Sequence, residues 1–406
     1  MKILMVVAYF IPEVGSAAHI YFDLAKAFVS NGHEVDVITS YPREFNLDGS
    51  DLNKKFSVEE TIDGIKVHRC KYHLLTRDNV ILRGLEHFLL PRIYFNMYKK
   101  LNKKFDVCLI YIPPLAFYNF AKKIKDFNGT PSVLHYQDFH PQELIDVGMV
   151  KNKILIKILE NLERESYKNA DHMISLSEKG IEFIVERGGN PDKITHIYNS
   201  VNPSGFDLYA QKKDFKIKEN IGDRILVSYC GILSPFQGVD NFLDASKRLI
   251  EHKELMFYIV GGGMTKNHLS NRIQKENISN VKIMPLQSRN EYFNIINSSD
   301  ISIVSLDKRM TAPCLPGKLI NLLGVGQPII ANVPLDSETA YVIKKAKCGI
   351  VVEPGNVDEL AKAIIKLKDD PELRKELGNN GRIFLEENMN LEKNIEKYEK
   401  IFKSLI

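Results

Sequence analysis

No stretch of the chain approaches about 18 uncharged apolar residues, so the sequence offers no candidate membrane-spanning helix. The opening run Met-Lys-Ile-Leu-Met-Val-Val gives way to the Pro12-Glu13 turn, too soon for the apolar core of a signal peptide. Cysteine is scarce: the five residues Cys70, Cys108, Cys230, Cys314 and Cys348 are odd in number, far apart and never at metal-ligand spacing. That excludes a disulfide scaffold and predicts free thiols in a reducing compartment, with the protein made and kept in the cytoplasm. An excess of one charge is also missing, because 55 Lys and Arg face 51 Asp and Glu. A net charge of +4 does not support a dedicated nucleic-acid binder. Neither Asp-x-Asp nor His-Glu-x-x-His occurs, so no metal site and no other cofactor is expected. Short-period repeats and low-complexity tracts are absent as well.

What is present is an ordinary globular composition, 44% hydrophobic and 26% charged, over 406 residues. That length exceeds one ordinary core and predicts two domains of roughly 150 to 200 residues. Short apolar runs alternate with helical patterns. The first series is Ile3–Val7, Val35–Thr39, Val107–Ile112, Ser132–Tyr136 and Met173–Leu176. A second series follows: Ile225–Cys230, Met256–Val260, Val281–Met284, Ile301–Val304, Pro328–Ala331 and Gly349–Val352. Near-continuous apolar strands separated by helices predict α/β architecture, with two doubly wound parallel sheets covered on both faces. The stretch Asn202–Gly222 has no strong period and reads as a linker, placing the boundary near Asn199–Asp223. Leu391, Ile395, Tyr398, Phe402 and Leu405 recur at helical spacing, which predicts an amphipathic closing helix. The expected domains are therefore 1–200 and 201–385, with 386–406 as a helix crossing back to the first.

Glycine-containing loops follow several strands. Pro12–Ala18 joins the first strand to the first helix, where small residues let backbone N–H groups approach an anion or a sugar. It lacks Gly-x-Gly-x-x-Gly spacing, so a tight strand-to-helix turn explains it equally well. Tyr229–Val239 and Gly261–Gly263 repeat the pattern in the second half. Ala312–Asn321 adds Lys318 just inside a helix start at Pro316-Gly317, an arrangement suited to a diphosphate, although the spacing is not that of a Walker loop. Ligands of open parallel sheets bind at the carboxyl ends of strands, so these loops are expected to face one cleft between the domains.

Asp138 and His140 lie just past the strand Ser132–Tyr136, where either could orient or deprotonate a hydroxyl. Their plainer readings are a turn or cap for Asp138 and a histidine packed beside Phe139 for His140. His135, inside the strand, reads as a satisfied core residue. From Arg77 to Phe105, seven cations are interleaved with large apolar residues such as Leu85, Phe88, Ile93, Phe95 and Tyr98, against only Asp78 and Glu86. Such a segment fits an anionic bilayer surface, or a pair of helices packed on the first domain.

The order of motifs resembles the two-Rossmann-domain glycosyltransferases of the GT-B type, in particular the large retaining family 4. The resemblance rests on Pro12–Gly15, Gly32–Val35, Asn169–Asp171, Leu176–Glu178, Tyr198–Val201, Gly231–Gly238, Gly261–Gly263, Ser299-Asp300 and Gly326–Ala331, across nearly the whole chain. Pro113-Pro114-Leu115, Asp138–Glu143, Gln237 and Pro316-Gly317-Lys318 are similar to the branch that adds N-acetylated deoxysugars or related hexoses in surface-polysaccharide synthesis. Two departures stand out. The family's paired signature glutamates fall at Pro313 and Asn321, and its Arg/Lys pair for the donor phosphates falls at Ile232 and Gln237. Arg309 and Lys318 are the cations available to compensate.

The resemblance implies transfer of a hexose-type sugar, with retention and without a metal. The donor is a nucleotide-diphosphate sugar, most simply UDP-linked, and the acceptor a glycan or a polyprenyl-diphosphate-linked sugar at the inner face of the membrane. Fixed N–H dipoles and a nearby cation would stabilise the leaving diphosphate. The donor-side residues are Gly15, Ser16, Gly231, Gln237, Arg309, Leu315, Gly317, Lys318, Leu319 and Asn321. On the acceptor side stand Glu13 and Glu143, with Asp138 and His140 as the catalytic pair. A UDP-sugar 2-epimerase of the same fold and an inactive partner subunit are the competing readings.

Overall fold

The computed structural model describes residues 1–13, 16–43, 55–71, 80–206 and 214–406. It divides into two compact units, Met1–Val201 with Leu391–Ile406, and Asn202–Asn390.

The first unit is built on eight strands: β1 (Lys2–Val6), β2 (Glu34–Ser40), β3 (Glu59–Ile62), β4 (Ile65–Cys70), β5 (Val107–Ile112), β6 (Ser132–Tyr136), β7 (His172–Ser175) and β8 (Ile194–His196). Their order in the sheet is β3-β4-β2-β1-β5-β6-β7-β8, parallel except for β3 against β4. Every residue of β5 and β6 is buried, as strands covered on both faces must be. The apolar runs mark the central strands within a residue or two. They miss β3 and β8, the two edge strands of the sheet, and β4, an interior strand whose Lys66, His68 and Arg69 interrupt the apolar run. Asp63-Gly64 makes the hairpin's two-residue turn with φ of 49° and 83°, the left-handed pair that Asp-Gly favours.

Strand β1 leads back to β2, whereas β4→β5, β5→β6 and β6→β7 all progress the other way across the sheet. Right-handed crossovers therefore put helix Ser16–Ser30 on one face and helices Val80–Leu101, Phe117–Asn128 and Lys153–Asn169 on the other. Helix Leu391–Leu405 joins the first face. It buries Ile395, Tyr398 and Phe402, with Tyr398 and Phe402 packed on Phe28 at ring separations of 6.0 and 5.5 Å. Glu399 accepts from Asn31 and His33 at its rim, which anchors the helix in register.

The second unit has six parallel strands: β9 (Ile225–Cys230), β10 (Leu255–Val260), β11 (Val281–Met284), β12 (Ile301–Ser305), β13 (Ile329–Asn332) and β14 (Gly349–Val352). Their order is β11-β10-β9-β12-β13-β14, so the chain reverses direction between β9 and β12. The described ends of the Asn202–Gly222 stretch are not a linker but part of this unit. Phe215 is buried with its ring 5.3 Å from Tyr258, and Lys216 pairs with Asp300 at 2.6 Å. Those contacts are tertiary, which is why a stretch without local period could not announce them.

Candidate functional site

Loops that leave the carboxyl ends of β9, β10 and β12 are stitched together by main-chain bonds. Gly231 N donates to Val260 O at 2.9 Å, Leu233 N to Gly262 O at 2.9 Å, and Asp307 N to Phe236 O at 2.8 Å. The close approach needs glycine. A Cβ on Gly261 would sit 1.9 Å from Gly231 O, and one on Gly231, whose φ is 155°, would sit 2.8 Å from Lys318 Nζ.

Lys318 opens the helix Lys318–Gly324 and turns back toward β9. Its ammonium donates to the Tyr229 hydroxyl and to Gln237 Oε1, both at 2.7 Å, and sits 3.9 Å from the Tyr229 ring centre. Tyr229 in turn donates to Ile232 O at 2.9 Å. Every neighbour is neutral. Burial pushes the Cys230 thiol up to about 12 and the Tyr229 phenol well above its ordinary range. Among the described residues no carboxylate pairs with Lys318, and burial pulls its amine down to about 7. Lys318 is thus a half-buried amine whose hydrogen-bond partners, Tyr229 and Gln237, are polar but uncharged. The nitrogen also lies beside Gln237, the position at which the resembled family carries its phosphate-binding lysine.

The structure thus brings Gly231, Gln237 and Lys318 together, and Gly317 caps the Lys318 helix. Arg309 pairs with Asp307 at 2.7 Å, next to the same loops. Leu319 is fully buried and its amide is taken by Pro316 O at 2.9 Å, while Leu315 is also buried. Asn321 reaches the Tyr292 hydroxyl at 3.4 Å. Gly15 lies outside the described residues, and Ser16 begins the first helix. Tyr229, the hub of the cluster, was not legible as a site residue, because in the sequence it is one more apolar member of β9.

In the first unit, Asp138 follows β6. Burial raises its carboxyl to about 6, and among the described residues it makes no hydrogen bond or ion pair. His140 is pulled down to about 4 by burial and lies 3.7 Å from Glu143 Oε2, beyond hydrogen-bond reach. Glu143 itself turns inward, accepting from Phe139 N at 3.0 Å, and Glu13 likewise accepts from Arg43 N at 3.3 Å. Both glutamates are more than nine-tenths buried.

His135 is satisfied on both nitrogens. Gln137 and Asn199 form a reciprocal amide pair at 3.0 and 2.6 Å, which aims the Gln137 amide N–H at His135 Nε2, 3.0 Å away. The proton then resides on Nδ1, donated to the Tyr21 hydroxyl at 2.8 Å. Burial drives this imidazole down to about 3, so it stays neutral. The described part of the Arg77–Phe105 segment is a helix packed on the domain through Leu90, Tyr94 and Tyr98, with Phe88 and Leu89 exposed. Among the described residues no helix is long and apolar enough to cross a membrane.

Comparison with known proteins agrees with this layout. The family described as "Glycosyl transferases group 1" matches residues 210–384, and that described as "Glycosyl transferase 4-like domain" matches residues 15–200. WcaI of Escherichia coli, named for glycosyl transfer in colanic acid biosynthesis, is 22% identical over 376 residues, 90% of this chain and 91% of WcaI. Sucrose-phosphate synthase of Thermosynechococcus elongatus has a similar fold, with a TM-score of 0.78 at 16% identity, covering 100% of this chain and 99% of that one. Anabaena HepE, solved with UDP and glucose, gives a TM-score of 0.72 at 16% identity, covering all of both chains.

Proposed function

Starting from a chain that is a glycosyltransferase of the two-domain GT-B type, related to the surface-polysaccharide transferases of family 4, we propose that it moves a hexose-type sugar from a UDP-linked donor to a glycan or polyprenyl-diphosphate-linked acceptor. The observation that carries this reading is Lys318, an amine held among neutral partners at the carboxyl edge of a parallel sheet. A donor diphosphate there restores the amine's proton and gains a charge-assisted hydrogen bond in a site of reduced polarity. The anomeric carbon–oxygen bond breaks as negative charge grows on the departing diphosphate, and Lys318 stabilises that charge. Gly231 keeps the space above the amine clear, since any side chain there would collide with it.

On the acceptor side, Asp138 orients the attacking hydroxyl or takes its proton. Its carboxyl, raised to about 6, is ionised at neutral pH yet close enough to that range to exchange a proton. The glycosidic bond then forms on the face the diphosphate leaves, with retention, as the family resemblance implies. Arg309 is not needed for this scheme, and Glu13 and Glu143 support the loops that carry the acceptor. The name of WcaI, a colanic acid biosynthesis glycosyl transferase, supports surface-polysaccharide assembly as the setting of this chemistry, and we place it at the inner face of the membrane. Contact with that membrane is assigned to the exposed Phe88 and Leu89, more than two turns into the Val80–Leu101 helix, within the basic segment 77–105.

The direct test is a calorimetric titration with UDP, GDP and UDP-hexoses in EDTA, on the intact protein and on Lys318→Ala. UDP binding that is weakened by the substitution supports the reading. If no nucleotide binds the intact protein, the donor site is wrong and a non-catalytic partner subunit becomes the better account.

A further inference from the structure

Helix Lys153–Asn169 lies on the same face of the first sheet as Val80–Leu101 and Phe117–Asn128, and it is apolar on two sides over its first turns. Ile156 and Leu159 point toward the domain and are half-buried. Ile154, Leu155 and Ile158 point away: Ile154 is 74% exposed and Ile158 51%. At 100° per residue these three form one compact patch, and Lys153 and Lys157 share the adjoining stripe. Lys151 stands just before the Asn152 cap. All three lysines are exposed, and none pairs with a carboxylate among the described residues. Isoleucine and leucine at such exposure are normally scattered singly, so three together on one helix end need an account.

Parallel strands joined by helices put each helix start at the carboxyl end of the sheet. The exposed Phe88 and Leu89 lie more than two turns into Val80–Leu101, whereas the first turn of Lys153–Asn169 lies at that carboxyl end of the layer. That is also the end at which Asp138 leaves β6.

We infer that residues 151–158 are a docking surface for an anionic lipid bilayer, with Ile154, Leu155 and Ile158 entering the headgroup zone and Lys151, Lys153 and Lys157 neutralising lipid phosphates. Charge complementarity selects this occupant. Aliphatic side chains flanked by unpaired lysines match a negative, hydrated interface with an apolar interior, and residues 151–158 include no acidic side chain to pair with a second copy's lysines. The inference deepens the proposed membrane contact, on which it rests for its purpose, by placing the principal anchor outside segment 77–105.

The test is co-sedimentation of the full chain with phosphatidylcholine vesicles, with and without phosphatidylglycerol. Variants are Ile154→Ser/Leu155→Ser/Ile158→Ser, Lys151→Gln/Lys153→Gln/Lys157→Gln and, for comparison, Phe88→Ser/Leu89→Ser. The intact protein should bind only the anionic vesicles, and each helix 153–169 triple variant should bind about tenfold or more weakly. UDP titration and melting temperature, unchanged in the variants, show that the fold and donor site survive. Equal vesicle binding by intact and triple-variant proteins overturns the inference. So does equal binding to neutral vesicles, no binding at all, or a dimer in the intact protein that the serine variant converts to monomer. Failure of UDP binding with vesicle binding retained removes the donor assignment and leaves this surface standing.

Discussion

Lys318 in the second unit and Asp138 in the first are both ionisable groups that burial shifts toward neutral pH, one down to about 7 and the other up to about 6. Their surroundings differ. Lys318 is held by Tyr229 and Gln237 and aimed, whereas Asp138 has no partner among the described residues. His135 sharpens the contrast: it is buried too, but both ring nitrogens are occupied and it is driven to about 3. Burial alone shifts a pKa. What the hydrogen-bond partners leave unsatisfied decides whether the shifted group is free to meet a ligand.

The largest effect should come from Lys318→Ala. Removing the ammonium that the proposal sets against the donor diphosphate should lower kcat by about 10²- to 10³-fold, measured as sugar transferred in single-turnover assays. The same amine predicts a pH dependence. A lysine lowered to about 7 is mostly neutral at pH 8.5, and the bound diphosphate raises it again. UDP affinity should therefore fall as pH rises through about 7, with proton uptake at pH 8 seen as a buffer-dependent binding enthalpy. Unchanged affinity from pH 6 to 9 would break the parallel between the two groups.

Asp138→Asn should cost about 10²-fold in rate with nucleotide affinity unchanged. With the native carboxylate, the rate should rise with pH through about 6 as the group ionises, and that limb should vanish in the variant. Tyr229→Phe is a smaller change, about tenfold in kcat/KM. It removes an acceptor of the Lys318 ammonium, so the amine's pKa should drop and the alkaline limb of the UDP-binding profile move to lower pH. His135→Leu should act on stability alone. It strands the Tyr21 hydroxyl and the Gln137 amide at a cost of about 1–3 kcal/mol, read from chemical denaturation, with both pH limbs left in place. A pH limb that moved with His135 would reverse the assignment.

Much of the fold is legible from composition and pattern. The near-continuous apolar runs locate the central strands because a strand covered on both faces has no room for polar residues. Edge strands escape the same criterion: β3 has two of its four residues exposed, Glu59 and Thr61, and no apolar run to find. On the site, the diphosphate reading of Lys318 depends on its place at a helix start, which sequence shows. Choosing it over Arg309 requires the Asp307 contact, which sequence does not show. Tyr229 is invisible beforehand, since a tyrosine in an apolar strand signals only core.

The sequence alone therefore determined the parallel-sheet architecture, the glycine loops at strand ends and the family of transferases the chain resembles. Those features are local: they depend on residue type and spacing along the chain. Which groups are spare was decided by tertiary structure. Glu13 and Glu143 each accept from a main-chain amide, Arg309 pairs with Asp307 and His135 bonds Tyr21 and Gln137, while Lys318 has neutral neighbours. Tyr21 meets His135 across 114 residues and Tyr229 meets Lys318 across 89; pairing at that range depends on where the sheet's crossovers set the partners, and no local pattern encodes that.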